Sequence, residues 1–224
     1  MNKKDVIELV ETLKKTYPDA TCSLNFKTPF QLVIAVMLSA QCTDERVNLT
    51  TPTLFKKYPT IEDFANCNVT ELEEIIHPCG FYKNKAKNAR ACANKILNDF
   101  NGTVPNTMEE LITLPGIGRK SANVILLEVF GIATGIAVDT HAKRISNRLG
   151  LSKEKEPAKI EQDLLKIIPR EYLKDINHLF VWHGRNTCMA RNPNCENCTI
   201  KKFCKKYKSE HKNWQKTTVN IYFY

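Results

Sequence analysis

"ITLPGIGRKSANV", residues 112–124, decides how the rest of the chain is read. An apolar segment stops at Pro115. Two glycines follow, and a second apolar segment opens with Arg119 and Lys120. Pro-Gly-Ile-Gly between two helical patterns is a tight turn. Gly116 and Gly118 each permit a positive φ or the close approach of another backbone. Such a turn leaves unbonded amides at the start of the second helix, and with the helix dipole they suit a phosphate. Contacts of that kind position a protein on nucleic acid without reading its sequence. A plain αα-hairpin with glycine as turn former fits the same spacing. Lys120 shares a helical stripe with Asn123, Val124 and Leu127. It either snorkels to solvent from the helix end or is held in a cleft.

On both sides of the turn, nearly every segment has the helical period. Residues 4–16 place Val6, Leu9, Val10 and Leu13 on one face, and Pro18 ends that pattern. "TPFQLVIAVMLSAQ" (28–41) is apolar almost all round, which predicts a central buried helix. Segments 44–58 and 69–76 are amphipathic, and 82–100 is a long helix with a basic face. Thr107 with Glu110 forms a capping box for 107–114. Helices are also predicted over 119–130, over 138–151 with Gly150 as its stop, and over the two apolar-periodic stretches from Glu156 to Thr187. No strand pattern survives, so the fold class is all-α. The tail "HKNWQKTTVNIYFY" is mixed polar and aromatic and is left unassigned.

The 224 residues are 42% hydrophobic and 25% charged, ordinary for a soluble globular protein with a real core. No apolar run approaches the roughly 18–20 residues of a membrane span. The opening residues alternate charged and apolar side chains, unlike a signal peptide. A cytoplasmic protein is expected, nucleoid-associated if the source is bacterial. The net charge of +9 favours a polyanionic partner, although a basic surface alone does not choose between nucleic acid and membrane. A solvated Lys-rich surface would give the same total.

The nine cysteines are not read as disulfides, because the cytosol keeps thiols reduced. Cys22, Cys42, Cys67, Cys79 and Cys92 are scattered and read as small hydrophobes. Cys188, Cys195, Cys198 and Cys204 fall close together. Four convergent thiolates suit zinc or an iron–sulfur cluster, and spacing alone does not separate the two. Around them stand Arg191, Lys201, Lys202, Lys205, Lys206 and Lys208 against Glu196, a loop that could present cations to a phosphate backbone.

Several motifs then act together: "LPGIGRKSANVIL" (114–126), "VDTHAKRI" (138–145), "TPFQLVIAVMLSAQCTD" (28–44), "HGRNTCMARNPNCENC" (183–198) and the cysteine spacing. Together they resemble the helix–hairpin–helix DNA glycosylases, over about residues 2–208. The resemblance implies two helical domains with a DNA-binding cleft. One domain covers 22–134 and carries the hairpin. The other joins 1–21 to 135–208 and holds an iron–sulfur loop, with 209–224 outside both. Lys120 and Asp139 would face each other across the cleft. The four cysteines would hold a [4Fe-4S] cluster. The partner would be duplex DNA carrying oxidised pyrimidines or abasic sites, with no membrane, and the protein a monomer.

The resemblance also assigns roles. Lys120 would attack C1′ of a nucleotide extruded from the stack and displace its base. The resulting Schiff base would permit β-elimination and nick the strand. A free lysine has a pKa of about 10.4, so roughly one in 10³ is an amine at neutral pH, a handicap on the order of 4 kcal/mol. Burial and the positive end of a helix favour the neutral amine, whereas bound phosphate opposes it. The chemistry therefore asks for a lysine on a partly buried stripe at a helix N-terminus, and the sequence supplies one. Asp139 would stabilise positive charge on the sugar and assist proton transfer. It also reads as a helix N-cap, and both roles can hold at once.

Gln41 would fill the hole left by flipping. Phe81 stands where the family carries a leucine wedge, and it reads equally as a core aromatic. Gly116, Gly118 and Arg119 would hold DNA through the hairpin. Asp44 is read as a pocket acid or a helix cap, and His141 as a locally bonded side chain. Two other readings remain: a monofunctional glycosylase of different base preference, and a non-catalytic, metal-stabilised DNA-binding module.

Overall fold

The computed structural model describes residues 1–211; most of the tail lies outside them. No strand occurs among the described residues, and none of their helices is long and apolar enough to cross a membrane. The chain forms two compact units. One is continuous, Cys22–Ile132. The other joins Met1–Thr21 to the chain from Ala133 onward.

The discontinuous unit begins with α1 (Lys3–Thr16), capped by Asn2, whose side chain accepts from the Asp5 amide. Its buried face is Val6, Leu9, Val10 and Leu13.

The continuous unit is built around α2 (Pro29–Leu38), in which every residue from Leu32 to Leu38 is buried. Thr28 caps it, accepting from the Gln31 amide, and Pro29 occupies a first-turn position where its missing N–H costs nothing. Each fully buried Leu, Ile or Val there contributes about 1.5–3 kcal/mol. Next come α3 (Asp44–Lys57), α4 (Ile61–Ala65) and α5 (Val69–Ile76), then a 3₁₀ turn at His77–Cys79. The long α6 (Tyr82–Asp99) packs along α4 and α5. After α7 (Met108–Leu111), α8 (Arg119–Phe130) lies against α2.

Four local features differ from the sequence reading. Helix α4 is extra; five residues are too few to show a period, and its signal is the capping box of Thr60 with Asp63. Helix α7 stops at Leu111 instead of Leu114, because Leu114 folds back to bond the Leu111 carbonyl. In its capping pair, the Thr107 hydroxyl accepts from the Glu110 amide at 3.3 Å and donates to the Glu110 carboxylate at 2.7 Å. Thr43 is the cap of α3, and Asp44 is its first helical residue.

The chain then returns to the discontinuous unit with α9 (Thr140–Leu149), α10 (Pro157–Ile167) and α11 (Leu173–Asn186). α11 packs against both α1 and α9, and its buried residues join those of α1 in one core. Gly150 ends α9 in the left-handed conformation at φ 79°.

Candidate active site

The hairpin is anchored by its apolar residues and presents its glycines. Leu114 and Ile117 are buried, and the Ile117 amide bonds the Leu114 carbonyl at 3.0 Å. Gly116 has φ 81°, and a Cβ there would press Asn88 and Met37 at 3.1–3.2 Å. Both reasons for glycine apply at that position. Gly118 differs. Its φ is −102°, and a Cβ there would meet open space. Neither backbone nor packing within the protein requires glycine at 118, which leaves room on the outer side of the turn. Gly118 is also the N-cap of α8 and contributes no side-chain bond, so the first amides of α8 have no cap hydrogen bond from it.

Lys120 is the second helical residue of α8 and is exposed. Its stripe is partly buried, with Asn123 buried and Val124 and Leu127 half-buried, but the lysine itself is not sheltered. The buried face of α8 is Ala122, Asn123, Ile125 and Leu126, and position 120 lies two residues from Ala122, on the far side of the helix. A side chain in the first turn also leans towards the helix N-terminus. Arg119 is exposed as well.

Asp139 caps α9, its Oδ1 accepting the Ala142 amide at 2.7 Å, and it is half-buried. The stretch leading to it is held by buried polar side chains from other helices. Glu161 of α10 accepts the Ile136 amide at 3.2 Å, and Asn177 of α11 accepts the Ala137 amide at 2.9 Å. These two positioning residues are not evident from the sequence, because they lie far along the chain from the amides they hold. His141 bonds locally: its Nδ1 is 3.0 Å from Arg144, and its ring packs on Gly184. Burial lowers its pKa; Arg144 and Arg185 push the same way, whereas Asp139 opposes them.

Gln41 and Phe81 sit in loops of the continuous unit. Both are exposed, Phe81 at 62%, so the core-aromatic reading of Phe81 does not hold. Both take left-handed backbone conformations, at φ 54° and 48°. For residues with a Cβ that is an uncommon and costly state.

The four clustered cysteines are free thiols lining one cavity, together with Ile145, Arg148, Leu149 and His183. Polar hydrogens already point at sulfur. Arg148 donates to Cys188 Sγ at 3.3 Å and the Tyr207 amide to Cys204 Sγ at 3.5 Å, while His183 Nε2 lies 3.8 Å from Cys198 Sγ. Burial pushes the Cys198 thiol up to about 11 and His183 down to about 4. Bound cations would reverse the balance at the thiols, and the donor set fits such a group. Among the described residues, no three Cys, His, Asp or Glu side chains form a ready site for a single metal ion. Of the loop's cations, Lys201 bonds the Glu196 carbonyl at 2.6 Å, Lys202 pairs with Glu8, and Lys206 pairs with Glu210. Half of the charge expected to face DNA is thus engaged inside the unit. Arg144 and Arg148 both bond the Cys188 carbonyl, tying the loop to α9.

A glycine-turned hairpin carrying a lysine, on an all-helical chain with a cysteine loop, defines a class. The chain belongs to the HhH-GPD superfamily of base excision DNA repair proteins, whose family model matches residues 34–170. Within it, the chain is similar to endonuclease III of Synechocystis sp. (strain ATCC 27184 / PCC 6803 / Kazusa). The two are 50% identical over 202 residues, 90% of this chain and 92% of the relative. A solved non-covalent endonuclease III–DNA complex superposes with a TM-score of 0.89 at 39% identity, covering 95% of this chain and 99% of that one. A trapped endonuclease III–DNA covalent intermediate gives 0.89 at 40% identity, covering 94% and 99%.

Proposed function

We propose that the chain is a bifunctional base excision repair enzyme, acting as a monomer in the cytoplasm. It is a DNA glycosylase that removes oxidised pyrimidines from duplex DNA and a lyase that cleaves the abasic site by β-elimination. The observation that carries this reading is the position of Lys120. The amine sits one residue beyond Arg119 on the helix whose uncapped N-terminus and open Gly118 offer a phosphate grip. Grip and nucleophile therefore move as one rigid piece. The similarity to a relative trapped as a covalent intermediate on DNA supports the same role.

The Lys120 amine attacks C1′ of the extruded nucleotide, and the base departs with the glycosidic electrons. The ring opens to an imine, a C2′ proton is lost, and the 3′ phosphate leaves. Asp139, fixed by its bond to the Ala142 amide, offers a negative charge to the cationic sugar and accepts a proton. Because Lys120 is exposed, the protein alone does not shelter the amine from water. The flipped nucleotide supplies that shelter, so the nucleophile is made ready only when DNA is bound. Gln41 and Phe81 fill the space the nucleotide vacates, Phe81 in the way apolar wedges do in DNA-bending proteins.

The cysteine loop holds a [4Fe-4S] cluster through Cys188, Cys195, Cys198 and Cys204. The four thiols line one cavity and as thiolates would ligate the irons of such a cluster. When bound, the cluster cross-links a loop that has little regular structure of its own. Visible charge-transfer absorption, with about four irons per chain and no zinc, is the expected result; a colourless zinc protein would overturn the assignment.

The deciding experiment is borohydride reduction in the presence of an oligonucleotide with one thymine glycol or one abasic site. Wild type gives a covalent protein–DNA adduct, and Lys120→Gln gives none. Base release without an adduct would make the enzyme monofunctional. Binding without base release, unchanged by Lys120→Gln, would make it a non-catalytic module.

A further inference from the structure

Lys85 belongs to α6, read from sequence as a helix with a basic face. It does not share the exposed side of Lys83, Lys87 and Arg90. It lies in the buried stripe with Ala86, Ala89 and Ala93 and is only 5% exposed. Its ammonium donates to two carbonyls, Leu38 at 2.8 Å and Cys79 at 2.9 Å. Leu38 is the last residue of α2, so its carbonyl is one of those a helix end leaves without an intrahelical partner. Cys79 is the last residue of the 3₁₀ turn. Gln41 follows Leu38 by three residues, and Phe81 follows Cys79 by two.

A buried ammonium is an expensive way to fill space. Desolvation lowers the Lys85 pKa, against which the nearby Cys42 and Cys79 thiols act. A methionine would occupy the same volume without that cost. What the ammonium adds is a fixed junction between the bases of two loops that are close in space but far apart in sequence. Both loops need such a junction. Gln41 and Phe81 are held in left-handed conformations that their own sequences do not favour, and Gly80 between Cys79 and Phe81 is also at positive φ, 69°. The thiols of Cys42 and Cys79 also meet across the same junction.

We propose that Lys85 is a positioning residue for lesion capture, its ammonium holding the Gln41 and Phe81 loops at one spacing so that both side chains enter the stack together. This rests on the reading of Gln41 and Phe81 as the groups that fill the vacated space.

The test is a double-mutant cycle on binding. The preference for a duplex with an uncleavable tetrahydrofuran site over the intact duplex is measured for wild type, Lys85→Met, Gln41→Ala/Phe81→Ala and the triple variant. 2-Aminopurine opposite the site reports insertion. Thermal melts confirm folding. Lys85→Met is expected to lower the preference about ten-fold and to quench the insertion signal. In the Gln41→Ala/Phe81→Ala background the same change is expected to have no further effect on preference. Equal losses in both backgrounds would overturn the proposal, since Lys85 would then act elsewhere. So would an unchanged preference in Lys85→Met while Gln41→Ala/Phe81→Ala loses it. If Gln41→Ala/Phe81→Ala itself keeps the preference, the reading of the two loops falls first and the Lys85 role with it. If Lys85→Met fails to fold, Lys85→Gln, which keeps a donor for one carbonyl, goes through the same cycle under the same criteria.

Discussion

Replacing Asp139 by asparagine separates its two roles. The Asp139 carboxylate caps α9 through a 2.7 Å bond from the Ala142 amide, and an asparagine carbonyl can accept the same bond. Asn and Asp are nearly equal as caps, so the hydrogen bond itself is retained. What is lost is the charge at the positive end of α9, about 0.3–1 kcal/mol. For a chain of this size that lowers Tm by about 1–4 °C. Asp139→Ala removes the cap as well, a further 0.5–2 kcal/mol or so, leaving the Ala142 amide without its acceptor. Stability therefore ranks wild type, Asn, Ala, with the second step the larger. Activity ranks differently, because both variants lack the negative charge offered to the sugar. Groups of that kind contribute about 10²–10³ in kcat. Single-turnover excision of thymine glycol should fall by about 10² or more in both variants, despite their different melting temperatures. Wild-type turnover in Asp139→Asn, with loss only in Asp139→Ala, would refute the reasoning and leave Asp139 as a cap.

Two further outcomes follow from the same neighbourhood. A Cβ on Gly184 would stand 2.5 Å from His141 Nδ1 and 2.8 Å from its Cβ, so α11 and α9 must separate. Gly184→Ala should cost about 1–3 kcal/mol, read as a drop of several degrees by calorimetry; an unchanged Tm would show that the packing is looser than described. Burial lowers the His141 pKa from its usual 6.5, so below that value the unfolded chain binds the proton more readily than the folded one. Stability contributed there is present at neutral pH and is lost as pH falls from 6.5 through the folded value. The advantage of wild type over His141→Gln in urea melts should therefore shrink between pH 7.5 and 5, and a constant gap would contradict the assignment.

Most helices were legible because their periods are long and their stops are chemical. Leu32–Leu38 is apolar on every side, Asp139 and Gly150 bracket α9, and Pro115 and Gly116 end a segment. Residues that depend on distant partners were not. Nothing local marks Glu161 or Asn177 as holding the amides before Asp139. Lys85 had a signal, since 85, 89, 92 and 96 fall on one stripe with small or apolar residues, but the surrounding lysines masked it. Lys120 was correctly placed at a helix start, but its own depth was not legible. The period of α8 puts Ala122, Asn123, Ile125 and Leu126 inside, so the stripe through Lys120 is partly buried, with Asn123 buried and Val124 and Leu127 half-buried, while the lysine at its end is exposed.

The pairing of α1 with α11 has a cost during synthesis. The apolar face of α1, Val6 to Leu13, is synthesised well before its cover, because the helix that packs on it begins at Leu173. At about 5–20 residues per second, that interval lasts on the order of ten to thirty seconds. The Cys22–Ile132 unit has all its own residues before then and can close first. During that interval the growing chain carries an unshielded greasy segment ahead of a unit that can already close. A nascent-chain chaperone would find its target in the turns of α1.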